Sequence, residues 1–249
     1  MSLNDLSATQ AVDKIRKGEI TSEELVQACL ERIDQIDGEI EAWAYLNPDY
    51  ALEQARKLDI IRQAGDPKGQ LHGIPVGIKD IIDTAHVPTE LGTPIHTGRR
   101  PYKDAWVVSR LRQAGAIIMG KTVTTELATY APGKTKNPHD SNRTPGGSSS
   151  GSAAAVASYM VPIALGSQTN GSIIRPAAFC GVFGFKPSFG MIPRSGVLQQ
   201  SLPLDQLGVF ARTTDDVALL TQVLAGYDET DSATTFLRAT PSLISVAAE

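Results

Sequence analysis

At 249 residues, with 41% hydrophobic and 20% charged content, the chain has the composition of an ordinary globular protein and is long enough to bury a substantial core. A net charge of −4, with Lys and Arg scattered rather than clustered, argues against nucleic acid or an anionic membrane as a partner. Two cysteines, Cys29 and Cys180, cannot build a disulfide framework for a chain of this size, which fits a reducing cytoplasm.

The N-terminal stretch MSLNDLSATQAVDKIRKGE lacks the basic-then-apolar order of a signal peptide. Ala11 and Ile15, then Leu25, Cys29, Ile33 and Ile36, recur at three- and four-residue spacing and predict helices near 7–17 and 22–36. Thr21 stands three residues before Glu24, a capping-box spacing, and Pro48 opens a third helix that stops at Gly65. Residues 1–65 therefore read as an N-terminal helical segment, and 66–249 as the core.

The period changes at Gly73. GIPVGIKDIID is a short β-branched run that predicts a strand over 74–79. DAWVVSRLRQAG predicts a helix and AIIMGKT a second buried strand. Helical signals at 152–159 and 214–224 then alternate with extended ones at 162–168, 182–186 and 207–212. The most apolar stretch, 153–165, is too short for a membrane span and carries Ser158 and Pro162. The alternation predicts an α/β fold, a mixed β-sheet core flanked by helices. The final ATPSLISVAAE brings no closing element, so the core reads as truncated at its C-terminus.

Two short patterns fail on context. GAIIMGKT (115–122) spells a phosphate loop, but its middle residues are those of a strand, not of a loop that wraps phosphate with its amides. GSSSG (147–151) spells a nucleophile elbow, which needs a His later in the chain; His72, His86, His96 and His139 all precede it. The histidines show no metal-ligand spacing either.

A serine nucleophile here therefore needs another base. Lysine serves only when neutral, and at a free pKa of about 10.4 roughly one in 2,500 is neutral at pH 7. Burial can lower that value. Lys79, with Pro75, Val76, Ile78, Ile81 and Ile82 around it, is the residue in the most apolar setting. Taken alone, it reads more readily as a lysine that snorkels to water or pairs with Asp80, because charged residues bordering strands are mostly solvated.

GIPVGIKD, GAIIMGKTVTTELA, NPHDSNRTPGGSSSGSAAAVA, IALGSQTNGSIIRPAAFCGVFGFKPS and FGMIPRSGVL together resemble the amidase signature family over about 73–198. The resemblance implies a Ser-Ser-Lys triad of Lys79, Ser148 and Ser172, and a cis peptide between Gly147 and Ser148. It also implies an oxyanion turn at Thr169, Asn170, Gly171 and Ser172, whose amides can converge on one point. No metal or organic cofactor is implied. The expected partner is a small-molecule amide, hydrolysed to the acid and ammonia or an amine through a Ser acyl-enzyme. Two other readings stand beside it: the glutaminase subunit of a tRNA-dependent amidotransferase, which passes ammonia to a partner, and a non-catalytic truncated fragment.

The sequence departs from the family pattern in three ways. Gln168 stands where Asp is common, and Asn170-Gly171 where Gly-Gly is common. Arg175 lies three residues after Ser172 instead of two, which puts the usual local ion pair in doubt. The chain is also short for the family. An open sheet edge is then expected to make it aggregate or pair as a homodimer.

Overall fold

The computed structural model describes residues 2–234 and residue 243; apart from that one residue, the C-terminal stretch 239–249 lies outside the described residues. Helix α1 spans Ala8–Lys17 and α2 Ser22–Ile40. The capping box forms: Thr21 Oγ1 accepts from Glu24 N, and the Glu24 carboxylate accepts from Thr21 N at 2.7 Å. Each of these helices also has its first amides capped by a carboxylate far away in sequence. Asp216 accepts from Ala8 N and Thr9 N, and Asp59 from Ser22 N and Glu23 N. Helix α3 (Pro48–Gln63) starts at its proline as the sequence predicts.

Strand β1 (Trp43–Leu46), too short to show an alternating pattern, was not expected. It follows Glu41, whose positive φ of 55° ends α2. Strands β2 (Pro75–Lys79), β3 (Ile117–Thr122), β4 (Ile163–Gln168), β5 (Phe183–Phe185) and β6 (Gln206–Ala211) complete a six-stranded mixed sheet in the order β1-β3-β2-β4-β6-β5. The β2–β3 and β2–β4 pairs are parallel and the others antiparallel. Strands β2 and β3, both inside the sheet, are buried along their whole length, which is why they read as apolar runs without alternation. Residues 117–122 of the false phosphate loop are strand β3 itself.

Helices α4 (Trp106–Gln113), α5 (Ser150–Ala157), α6 (Ile174–Cys180) and α7 (Thr214–Leu224) pack on this sheet. The Gly/Ser run before α5 is not a linker. Ser149 Oγ accepts from Ser167 N and Ser152 Oγ donates to Leu165 O, so its hydroxyls stitch the loop to β4. A Cβ on Gly151 would collide with Ala42 O and Val123 N, so glycine lets backbone meet backbone there.

Candidate active site

The site lies at the carboxyl ends of the parallel strands β2 and β4. Lys79 is the last residue of β2 and is fully buried. Its Nζ lies 2.7 Å from Ser148 Oγ and 2.8 Å from Ser167 Oγ. It does not pair with Asp80, whose carboxylate instead accepts the N–H groups of Glu90 and Gly92. Burial drives the Lys79 pKa down to about 7, and the nearby Asp205 carboxylate pulls against that shift. A lysine at that value is about half neutral at pH 7.

The Gly147–Ser148 peptide is cis. Ser148 O accepts from Thr125 N at 3.1 Å, and Ser149 N donates to Ser172 O at 3.4 Å. That second contact seats Ser172 beside the Gly/Ser loop. Ser172 is 7% exposed, and its Oγ meets no hydrogen-bond partner among the described residues. Gly171 has a φ of 127°, in the region that favours glycine. None of the N–H groups of Asn170, Gly171 and Ser172 is spent on a turn or side-chain acceptor among the described residues. The turn is held from outside: Thr169 Oγ1 donates to Asp205 at 2.6 Å, and Asn170 Nδ2 donates to Tyr130 Oη at 3.2 Å.

Gln168 has a specific task. Its Oε1 accepts from Ile173 N and Ile174 N at 2.9 and 3.1 Å, closing the chain over Ser172 with a neutral group. The usual ion pair is accordingly absent: Arg175 forms no salt bridge among the described residues and donates to Gly147 O and Asn170 O.

Three residues were missed from the sequence. Ser167, the second partner of Lys79, sits at the end of a buried strand five residues before Ser172, and an unexplained hydroxyl in that position is the signal that was available. Asp205 carried none, because only the fold brings it near. Lys121 is a second fully buried lysine, held by Ile82 O, Thr84 Oγ1 and Thr89 Oγ1, with its pKa lowered by burial to about 7. A cavity of about 240 Å³ opens beyond Ser167, with Thr169, Arg194, Gln200 and Asp205 in its wall; Lys79, Ser148 and Ser172 do not line it. Among the described residues no group of three His, Cys, Asp or Glu could hold a metal ion. None of their helices is long and apolar enough to cross a membrane.

A mixed sheet here buries a lysine against a serine from a Gly/Ser loop, and the Amidase family matches residues 24–246. The chain belongs to that family. It is 45% identical over 235 residues to the A subunit of glutamyl-tRNA(Gln) amidotransferase from Chloroflexus aurantiacus, a match covering 92% of this chain and 48% of that one. The solved peptide amidase of Stenotrophomonas maltophilia superposes with a TM-score of 0.92 at 38% identity, covering 97% of this chain and 52% of that one. The corresponding amidotransferase chain of Thermotoga maritima superposes at 0.80 with 33% identity, covering 96% and 50%. The chain thus spans about half the length of the relatives it matches.

Proposed function

We propose that the protein hydrolyses a carboxylic amide, with Lys79 as base, Ser148 as proton relay and Ser172 as nucleophile. The observation that carries this reading is the fully buried Lys79 amine 2.7 Å from Ser148 Oγ, in a chain of the Amidase family. Ser172 Oγ attacks the amide carbon and gives its proton to Ser148, which passes its own to Lys79 Nζ. The free amides of the 170–172 turn receive the oxyanion. The C–N bond then breaks as the proton returns through Ser148 to the leaving nitrogen. Ammonia or an amine departs, and the acyl group stays on Ser172 as an ester. Water attacks that ester by the same relay and releases the acid.

The test is turnover of simple amides by the chain and its variants. Ser172→Ala and Ser148→Ala each remove nearly all activity, and the double variant loses no more than the worse single one, because the two hydroxyls act as a unit. Substantial turnover by Ser172→Ala overturns the choice of nucleophile. An intact fold with no turnover in the parent chain supports the non-catalytic reading.

Relatives at 44–45% identity favour a second reading, since they are A subunits of glutamyl-tRNA(Gln) amidotransferases. In that case the amide is glutamine, and ammonia passes to a partner. Glutaminase assays with and without added partner proteins separate the two: stimulation by a partner supports the second reading, and partner-independent turnover of small amides the first.

A further inference from the structure

Asp205 is the charged group near the site that the proposed chemistry leaves without a task. It stands immediately before β6, close to two things the reaction needs: the 169–172 turn and the Lys79 amine. Both its oxygens are engaged. Oδ1 accepts from Thr169 Oγ1 at 2.6 Å, and Oδ2 accepts from Gln200 N and Ser201 N at 2.7 and 2.8 Å. All three donors are neutral, and Asp205 forms no salt bridge among the described residues. Hydrogen bonds to an ionised acceptor are shorter and stronger than those between neutral groups.

These contacts brace the turn from one side. Thr169 is its first residue, and a hydroxyl has one proton to give. The contact with Asp205 is shorter than the 3.0 Å contact with Gln200 Oε1. Gln200 carries the brace onward, donating from Nε2 to Leu127 O at 2.8 Å. Arg194, paired with Asp231, fixes the main chain of the acid, since its Nη1 donates to Leu202 O and Asp205 O at 2.8 and 3.1 Å. The same carboxylate reaches the base: its charge raises the Lys79 pKa that burial lowers. Two other charged groups on adjoining strands are occupied elsewhere. Asp80 accepts from Glu90 N and Gly92 N, and Lys121 is held by Ile82 O, Thr84 and Thr89.

We infer that Asp205 is a positioning residue, which through Thr169 fixes the turn whose amides receive the oxyanion. The inference rests on the amide-hydrolase reading. Asp205 takes no part in proton transfer. Oxyanion donors act by standing in place before the charge develops, so the residue that holds their turn is felt in the transition state. Because its carboxylate also acts on Lys79, removing the charge leaves a mark on the pH profile that a loss of packing does not.

The test measures kcat, KM and the pH profile on propanamide and benzamide. Thr169→Val removes the hydroxyl at nearly constant shape and leaves the Asp205 charge. Asp205→Asn removes the charge but keeps part of the brace: its oxygen can accept the two amides while its NH2 donates to Thr169 Oγ1. Thr169→Val lowers kcat about 10- to 100-fold with KM little changed, because a displaced turn fails in the transition state. Its apparent pKa in kcat/KM stays at the parent's value, and Thr169→Ser restores most of the rate. Asp205→Asn lowers kcat less and moves that apparent pKa below the parent's. The double variant is no slower than Thr169→Val, since both changes break one brace. Thr169→Val also keeps the test open should Asp205→Asn not fold. In an active parent, a normal kcat in Thr169→Val, or a rise in KM alone, overturns the inference and spares the hydrolase reading. A pH profile that moves equally in both variants, or in neither, shows that Asp205 and Thr169 do not act as one brace beside Lys79, and overturns it too. No turnover of either amide by the parent overturns both.

Discussion

Burial favours the neutral form of a lysine. Lys79 lies at the end of a strand buried on both faces, and its two serine partners accept hydrogen bonds without supplying a charge to hold the proton. The proposed mechanism needs Lys79 neutral, so it predicts that kcat/KM rises with pH through an apparent value near the Lys79 pKa of about 7. The measured value belongs to the coupled Lys-Ser-Ser set. Lys79→Arg keeps the charge but cannot release a proton at working pH, so it is folded and nearly inactive, and raising the pH does not restore it. A pH–rate profile of the two proteins checks this; near-normal activity in the arginine variant would show that the proton goes elsewhere. Lys79, Ser148 and Ser172 were singled out through the blocks that resemble the amidase signature, and the structure brings Lys79 to Ser148. Ser167 was not, since one hydroxyl in an apolar strand looks like any other until its neighbour is known.

Helix α5 shows how an element is fixed by what it omits. Its small residues allow the first turn to press on the backbone at Ala42 and Val123, while Ser149 before it and Ser152 within it bond to β4. Adding one methyl at Gly151 would force these backbones apart. Overpacking of this kind costs about 1–3 kcal/mol, and here the neighbours are main chain that cannot rotate away. Gly151→Ala is therefore expected to lower the urea midpoint and to reduce activity through the displaced Ser148. A variant with unchanged midpoint and turnover would mean that the loop tolerates movement. The ordinary reading of a Gly/Ser run as slack fails here for the same reason. Burial of the run depends on the strands it meets, and its composition does not show them.

Across the whole molecule, two fully buried lysines tie stability to pH. Both Lys79 and Lys121 have folded pKa values of about 7 against an ordinary 10.5, each lowered by burial. Between those values the unfolded chain binds more protons than the folded one, so raising the pH favours folding. Below about 7 both states hold the protons and the full cost of burying the charge remains. Urea unfolding between pH 7 and 10 is expected to show stability rising with pH, and Lys79→Met and Lys121→Met are each expected to flatten that rise. A slope unchanged in both variants would place the linkage in other groups. The two lysines lie on adjacent parallel strands but serve different ends: Lys79 faces the serines, and Lys121 holds the segment that follows β2 through Ile82 O, Thr84 and Thr89.

Local chemistry was enough to determine the order of helices and strands apart from β1, the caps at Thr21 and Pro48, the failure of the phosphate-loop pattern, and the blocks that resemble the amidase signature. Each of these depends on residues within a few positions of one another, where period, capping and turn preference act. Tertiary structure alone decided that β1 joins the sheet, that Lys79 meets Ser148 across 69 residues and Ser167 across 88, and that Asp205 bonds the Thr169 turn. It also turned Arg175 toward two backbone carbonyls with no acid beside it. Desolvation and charge pairing depend on which groups the strand order brings together, and nothing within a short window of sequence specifies that order.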